Sequence, residues 1–257
     1  MIHKMKLKAN PFHAVKAGYK TIELRLNDEK RRLLKTGDYI EFTLIGSPDE
    51  KITKKITALH EFPDFSELYK NLPLLECGHT PFTLHEAVPE HMELYYSKEE
   101  QQKYNVLGIE LEKEKFQKYL SGQTGAIPDC SGYEKALQEI RSGLKSTHWM
   151  WYIFPQIKGL SADTVTEYYA FDNIDDAREY INHSVLGKRL IEITSELLKL
   201  DISDPVVIFG MTDALKLRSC MTLFDYISPE NTVFREVLDK FCLGMPDEKT
   251  LDIIEKL

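Results

Sequence analysis

The chain reads as an α+β protein of two modules, a small β-rich one followed by an all-helical one. Two observations predict this. Up to about residue 115 the apolar residues recur with the period of two of a half-buried strand; beyond about residue 131 they recur with the period of a helix. Between the two lies Leu120–Gly132, LSGQTGAIPDCSG, with the small, polar, Gly and Pro composition of a linker. A chain of 257 residues has room for two ordinary domains. The expected boundaries are a β-rich domain at 1–115, a linker at 116–130 and a helical domain at 131–257.

The first module opens on a strand at Lys4–Leu7. Pro11, Phe12 and Val15 then mark a short helix that Gly18 ends. From Thr21 to Leu26 the residues alternate: Ile22, Leu24 and Leu26 point one way, Thr21, Glu23 and Arg25 the other. The second set is expected to be displayed as a hydroxyl, a carboxylate and a guanidinium in a row. Lys30, Arg31, Arg32 and Lys35 follow as a basic run. Gly37-Asp38 turns the chain into strands at Tyr39–Leu44 and Ile52–Leu59, and Val106–Leu111 is the last strand. Phe65, Leu68 and Tyr69 suggest a short helix after Pro63. Asn71–Pro89, rich in Pro, His and Gly, reads as a long loop or lid. Ser97 and Glu100 form a capping box for a helix over Ser97–Lys103.

In the second module Tyr133, Ala136, Leu137, Ile140 and Leu144 make one helix face, and Leu186, Leu190, Ile193, Thr194, Leu197 and Leu198 another. Asn173 caps a helix with Asp175 and Asp176 in its first turn. Thr212 and Asp213 open the helix that carries Leu215, Leu217, Met221, Leu223 and Phe224. Gly244 stops a helix and Pro246 is placed in the first turn of the last one. Only Val206–Phe209 looks strand-like.

The net charge of −8 argues against a generally basic nucleic-acid binder, but the charge is unevenly spread. Residues 1–60 carry 13 Lys+Arg against 7 Asp+Glu, a local +6; residues 61–115 carry 5 against 12 and residues 116–257 carry 15 against 22, −7 each. A basic first stretch of this kind can focus a phosphate-bearing ligand onto one face. No apolar run approaches the roughly 20 residues of a membrane span and the N-terminus has no apolar leader, so a cytoplasmic protein is expected. Cys77, Cys130, Cys220 and Cys242 contain no CxxC pair, and His79, His85 and His91 recur at a spacing that suits no regular ligand geometry, so no metal site is expected. No P-loop, GxGxxG or Ser/His/Asp order is present, and no cofactor is expected.

The pieces P-F-x-x-V-K-x-G-x-K-T-I-E-x-R-L, D-E-K-R and L-K-x-G-D-x-I-x-F, with the closing strand YNVLGIELEKE at Tyr104–Glu114, resemble the ASCH domain, a PUA-like β-barrel family. The resemblance covers about residues 1–115 and implies RNA or nucleotide binding. A subgroup similar to bacterial acetylcytidine amidohydrolases uses a lysine and a threonine of this strand with a downstream glutamate. Lys20 matches that lysine, Glu23 stands at the threonine position, and Thr21 matches a neighbouring threonine. The binding set expected from this reading is Lys20, Thr21, Glu23, Arg25, Lys30 and Arg31. Lys20 and Glu23 are also the catalytic candidates of the enzymatic alternative, a modified-nucleoside amidohydrolase or a ribonuclease.

THWMWYIFPQIKGL, Thr147–Leu160, holds both tryptophans. With YEKALQEIRSGLKS before it and HSVLGKRLIE, IFG, LKLRSCMTLF and FREVLDKF after it, the string resembles a small all-helical family of unknown function sometimes labelled calpastatin-like, over about residues 131–254. The family brings no activity with it. From the residues themselves, His148, Trp151, Gln156 and Arg218, with Lys216 at the rim, are the groups expected to converge on a second pocket with an aromatic wall. An aromatic core nucleus with satisfied polar edges is the alternative. A further alternative makes the acidic helical module the docking site of a protein partner.

Overall fold

The computed structural model describes residues 1–256, and its chain divides into two compact units. The first holds Met1–Gln117 with Ile127–Asp129; the second holds Lys118–Ala126 and the chain from Cys130 on.

The first unit is one curled sheet, half of a barrel, with three short helices and irregular segments around it. Its elements are β1 (Ile2–Leu7), α1 (Ala9–Ala17), β2 (Ile22–Leu26), β3 (Tyr39–Leu44), β4 (Ser47–Phe62), α2 (Phe65–Asn71), α3 (Lys98–Tyr104) and β5 (Val106–Leu111). The strand order is β1-β3-β4-β5-β2, with β1 parallel to β3 and the remaining pairs antiparallel. The long β4 makes the curl. Its first half pairs with β3, its second half with β5, and an irregularity between Ile56 and Ala58 bends it between the two. The expected caps are in place: Gly18 takes the left-handed conformation at φ 82° after α1, and Ser97 with Glu100 closes a capping box on α3.

Two apolar clusters sit on opposite faces of β2 and β5. Met5, Leu7, Phe12, Val15, Ile40, Phe42, Ile56, Leu107, Ile109 and Leu111 belong to the main one. Ile22, Leu24, Leu26, Phe65, Leu68, Cys77 and Val106 form the other. Both faces of β2 are therefore covered, which corrects the expected display of Thr21 and Glu23. In the antiparallel register Glu23 lies opposite Ile109 and Arg25 opposite Leu107, and opposed residues share a face, here that of the main core. Glu23 is only 4% exposed and Thr21 5%. The segment 71–89 differs from a free lid too. Leu75 and Cys77 are buried, and the Glu76 carbonyl accepts from the Thr21 and Ile22 amides at 2.8 and 2.9 Å.

The second unit contains α4 (Gln117–Gln123), α5 (Gly132–Arg141), α6 (Met150–Ile153), α7 (Thr164–Tyr169), α8 (Ile174–Asn182), α9 (Leu186–Leu198), α10 (Pro205–Ile227), α11 (Val233–Cys242) and α12 (Glu248–Ile254), with α4 beginning one residue before the unit. Segment 116–130, expected as a linker, thus holds a helix. Tyr119, Ser121 and Gln123 of α4 are buried, and Gln123 donates to the Tyr152 carbonyl at 2.8 Å. Tyr119, Tyr152, Tyr169, Phe171, Tyr180, Phe224 and Phe234 interlock edge-on or tilted in an aromatic core.

The strand expected at Val206–Phe209 is helix instead: Asp204 accepts from the Val206 amide, Pro205 fills the first turn, and no neighbouring strand is there to pair with. Gly210, at φ 73°, breaks α10 one residue after Phe209, so a new helical run starts where Thr212 and Asp213 were expected to open one. Leu144 lies beyond the end of α5 and is exposed. Pro246 precedes α12, whose N-cap is Asp247. Within α9 the helices approach so closely that a Cβ on Gly187 would stand 1.8 Å from the Ile181 carbonyl oxygen. Among the described residues there is no disulfide, no cluster fit for a metal ion, and no helix long and apolar enough to cross a membrane.

Candidate nucleic-acid interface

The curl of the sheet leaves β1 and β2 as its two edges, and among the described residues no main-chain ladder joins them. Side chains bridge the seam. Arg25 of β2 donates to the Lys6 carbonyl at 3.2 Å, and Lys30, just past β2, donates to the Lys4 carbonyl at 2.9 Å. Lys4 and Lys6 sit on the outward face of β1 because Met5 and Leu7 take the inward one, and all of Lys4, Lys6, Lys8 and Lys30 are exposed. Lys8 lies over the Tyr95 ring, 4.7 Å from its centroid, and Tyr96 accepts from Arg25 at 3.1 Å while stacking on Phe65. The seam is thus a strip of cations flanked by an exposed tyrosine. Lys4, Lys6, Lys8 and Tyr95 were not among the residues singled out from the sequence. The K-x-K-x-K spacing at the N-terminus carried the signal for the lysines, since period two puts Lys4 and Lys6 on one strand face.

Behind the seam the charged residues of β2 form a buried network. Glu23 pairs with Arg25 at 2.9 Å through one oxygen and with Lys20 at 3.3 Å through the other. The Lys20 ammonium, 7% exposed, also donates to the Ile22 and Cys77 carbonyls at 2.8 and 2.6 Å. Burial works against the Arg25 charge, but Glu23 and Tyr96 outweigh it and hold the guanidinium above its ordinary pKa. Burial likewise pushes the Cys77 thiol up to about 12, against the pull of Lys20, so it is no nucleophile at neutral pH.

Thr21 donates its hydroxyl to Glu76 at 2.7 Å, and Lys113 pairs with the same carboxylate at 2.6 Å. Glu76 is a downstream glutamate the sequence did not assign; the fold brings it to β2 across 55 residues. Of the expected binding set, Lys20, Thr21 and Glu23 are thus interior, and Arg25 faces the seam. Lys30 is exposed on the seam, and Arg31 is half-buried with its guanidinium on Asp28 at 2.6 Å.

In the helical unit the string around the tryptophans is organised by a residue outside the expected site set. Glu139, on the buried side of α5, accepts from the amides and hydroxyls of Ser146 and Thr147 and from the Trp149 indole N–H, at 2.8–3.1 Å. Burial opposes its charge, yet these donors hold its pKa down to about 2. Its position three residues after Ala136 and between Leu137 and Ile140 was a legible sign of a buried carboxylate. Trp149, Tyr152, Ile153 and Phe154 are core.

The five residues expected to form a second pocket divide. Gln156, Lys216 and Arg218 line one groove of about 470 Å³. His148 and Trp151 do not line it. His148, ahead of α6, is exposed, and its ring lies parallel to that of Trp151 at 6.4 Å. The Lys216 ammonium also lies over Trp151, 5.8 Å from a ring centroid. Lys216 also pairs with Asp213, which Lys145 shares at 2.8 Å. Arg218 is half-buried and donates to the Met245 and Pro246 carbonyls at 3.0 and 2.7 Å.

The ASCH domain family matches residues 5–115, and the family described as a protein of unknown function, DUF1810, matches residues 113–254. No curated protein matches the chain. Among solved structures, the conserved hypothetical protein Rv1873 from Mycobacterium tuberculosis is 31% identical at a TM-score of 0.51, over 55% of this chain and 96% of that one. The hypothetical protein PH0355 is 31% identical over 44% of this chain and 100% of that one, at a TM-score of 0.38. Protein PF0455 from Pyrococcus furiosus is 28% identical over 45% and 99%, at 0.35.

Proposed function

We propose RNA or nucleotide binding as the function of this chain, which belongs to the DUF1810 family of unknown function and carries an ASCH domain ahead of that region. The ASCH domain is a PUA-like, RNA-binding type of fold, which supports nucleic acid as the ligand of the first unit. The observation that carries the reading is the seam: Lys4, Lys6, Lys8 and Lys30 exposed along the β1 edge, with Tyr95 beside them. The exposed ammonium groups neutralise phosphates, and the tyrosine offers a face for a base. Arg25 shapes the seam from below by binding the Lys6 carbonyl, and Glu23 holds Arg25 in place.

The test is the salt dependence of binding to single-stranded RNA. Affinity should fall as salt rises. Lys4→Ala with Lys6→Ala should weaken binding by about tenfold at 100 mM salt and reduce the slope of log K against log salt by about 1.5, the value for two lost phosphate contacts. Both residues are exposed, so the fold should be unchanged. Salt-independent affinity, or a double variant that binds like the parent, would remove the seam from consideration.

The enzymatic alternative predicts a different result. Both carboxylate oxygens of Glu23 are engaged by cations, and a carboxylate at this position supplies no alkoxide for acyl transfer. We therefore expect no measurable hydrolysis of acetylcytidine by the purified protein. Turnover abolished by Lys20→Ala would reverse the assignment.

A further inference from the structure

We propose that the groove of the helical unit is a second ligand site, built for a nucleoside monophosphate. The groove has about 470 Å³ of space, within the roughly 300–1,000 Å³ of small-molecule sites. One observation distinguishes it from a surface dent. Gln156, at its floor, is only 7% exposed, yet its side-chain amide finds no hydrogen-bond partner among the described residues. Its polar atoms stay open to the groove, where water or a ligand takes the place of a protein partner. A carboxamide offers a donor and an acceptor side by side, which is the complement of a nucleobase edge or another amide.

The groove's charges specify the rest of the ligand. Lys216, Arg218 and Lys249 supply cations along the walls. Lys249 is exposed and has no carboxylate partner among the described residues, and Arg218 keeps donors beyond the two it gives to backbone carbonyls. Two carboxylates also line the groove, Asp247 and Glu248. Asp247 caps α12, accepting from Thr250 and from the Ser219 hydroxyl at 2.9 Å, and keeps its charge, so the lining sets three cations against two carboxylates. Leu160 and Leu215 add apolar wall, and the exposed Thr212 hydroxyl is a further donor. An anion on the lysines, a flat body against the leucines and a donor–acceptor edge on Gln156 describe one molecule of nucleotide size. The buried Trp151 indole N–H, also without an acceptor, lies in the same residue whose ring faces Lys216. Ligand capture that draws Lys216 into the groove would be felt at that ring.

The experiment titrates the isotope-labelled full chain with AMP and, separately, with inorganic phosphate, reading the Gln156 side-chain amide pair by NMR. That pair is assigned by its loss in Gln156→Leu. AMP should saturate and shift the Gln156 pair, and phosphate should bind about tenfold or more weakly. Lys249→Glu should weaken both ligands by about tenfold. Gln156→Leu should weaken AMP by about tenfold and leave phosphate unchanged, since it removes the base contact alone. The seam variant Lys4→Ala/Lys6→Ala should bind AMP here as the parent does, which separates this site from the one in the first unit. Tryptophan fluorescence verifies that each groove variant is folded. No shift at millimolar AMP, AMP and phosphate binding equally, or AMP affinity unmoved by both groove variants would each overturn the proposal.

Discussion

Replacing Glu139 with alanine is expected to destabilise the helical unit by about 3–5 kcal/mol, the cost of leaving buried donors without their charged acceptor. The carboxylate is 4% exposed and gathers two backbone amides, two hydroxyls and the indole N–H of the fully buried Trp149. The hydroxyls can turn to other acceptors; the amides and the indole cannot. Glu139→Gln should cost less, because one oxygen remains, but its amide N–H₂ would face donors.

The same site fixes a pH dependence. The folded pKa of about 2 lies below the ordinary glutamate value of 4.5, so the ionised form stabilises the fold fully above about pH 4.5. That contribution is lost as pH falls from 4.5 towards 2, and Glu139→Gln should flatten that part of the stability profile. Both tryptophans of the chain belong to this unit, so urea unfolding followed by tryptophan fluorescence reads it directly. An alanine variant with an unchanged midpoint would mean that the string around Trp149 is held by its apolar contacts alone.

Glu23→Ala should have a comparable effect on the first unit, about 3–5 kcal/mol, for a different reason. It leaves Lys20 and Arg25 as two neighbouring cations behind the seam with no anion between them. Their carbonyl and phenol contacts take up some of their N–H groups but leave their charge unopposed. Water reaches Arg25 more easily than Lys20, whose side chain is the more buried, so Lys20 carries most of the penalty. Hydrogen exchange of β5 amides, which pair with β2, is the measurement. Faster exchange throughout Val106–Leu111 is the expected result; exchange equal to the parent's would show that the two cations are solvated without Glu23. RNA affinity measured on the same variant should fall as well, since Arg25 then loses the group that aims it at the Lys6 carbonyl.

What the chain reveals by itself follows from how locally each feature is encoded. The alternation at Thr21–Leu26, the Gly18 and Asn173 caps and the capping box at Ser97 involve neighbours a few residues apart, and each is in its expected place. So is the order of an ASCH domain and a DUF1810 region, because each is written in several motifs along the chain. The tertiary structure decided everything that depends on which distant segments meet. Alternation states that Glu23 and Arg25 share a face; only the β2–β5 register turns that face towards the main core. Segment 71–89 looked like a lid because its composition is that of a loop, and it became a strap because its carbonyls reach β2.

Val206–Phe209 has the β-branched composition of a strand, but a strand needs a partner and this segment has a cap and a proline instead. In the helical unit Gln156 and Arg218 stand 62 positions apart by their numbering. Their meeting in one groove, with an amide left open there, is a property of packing that no local pattern contains.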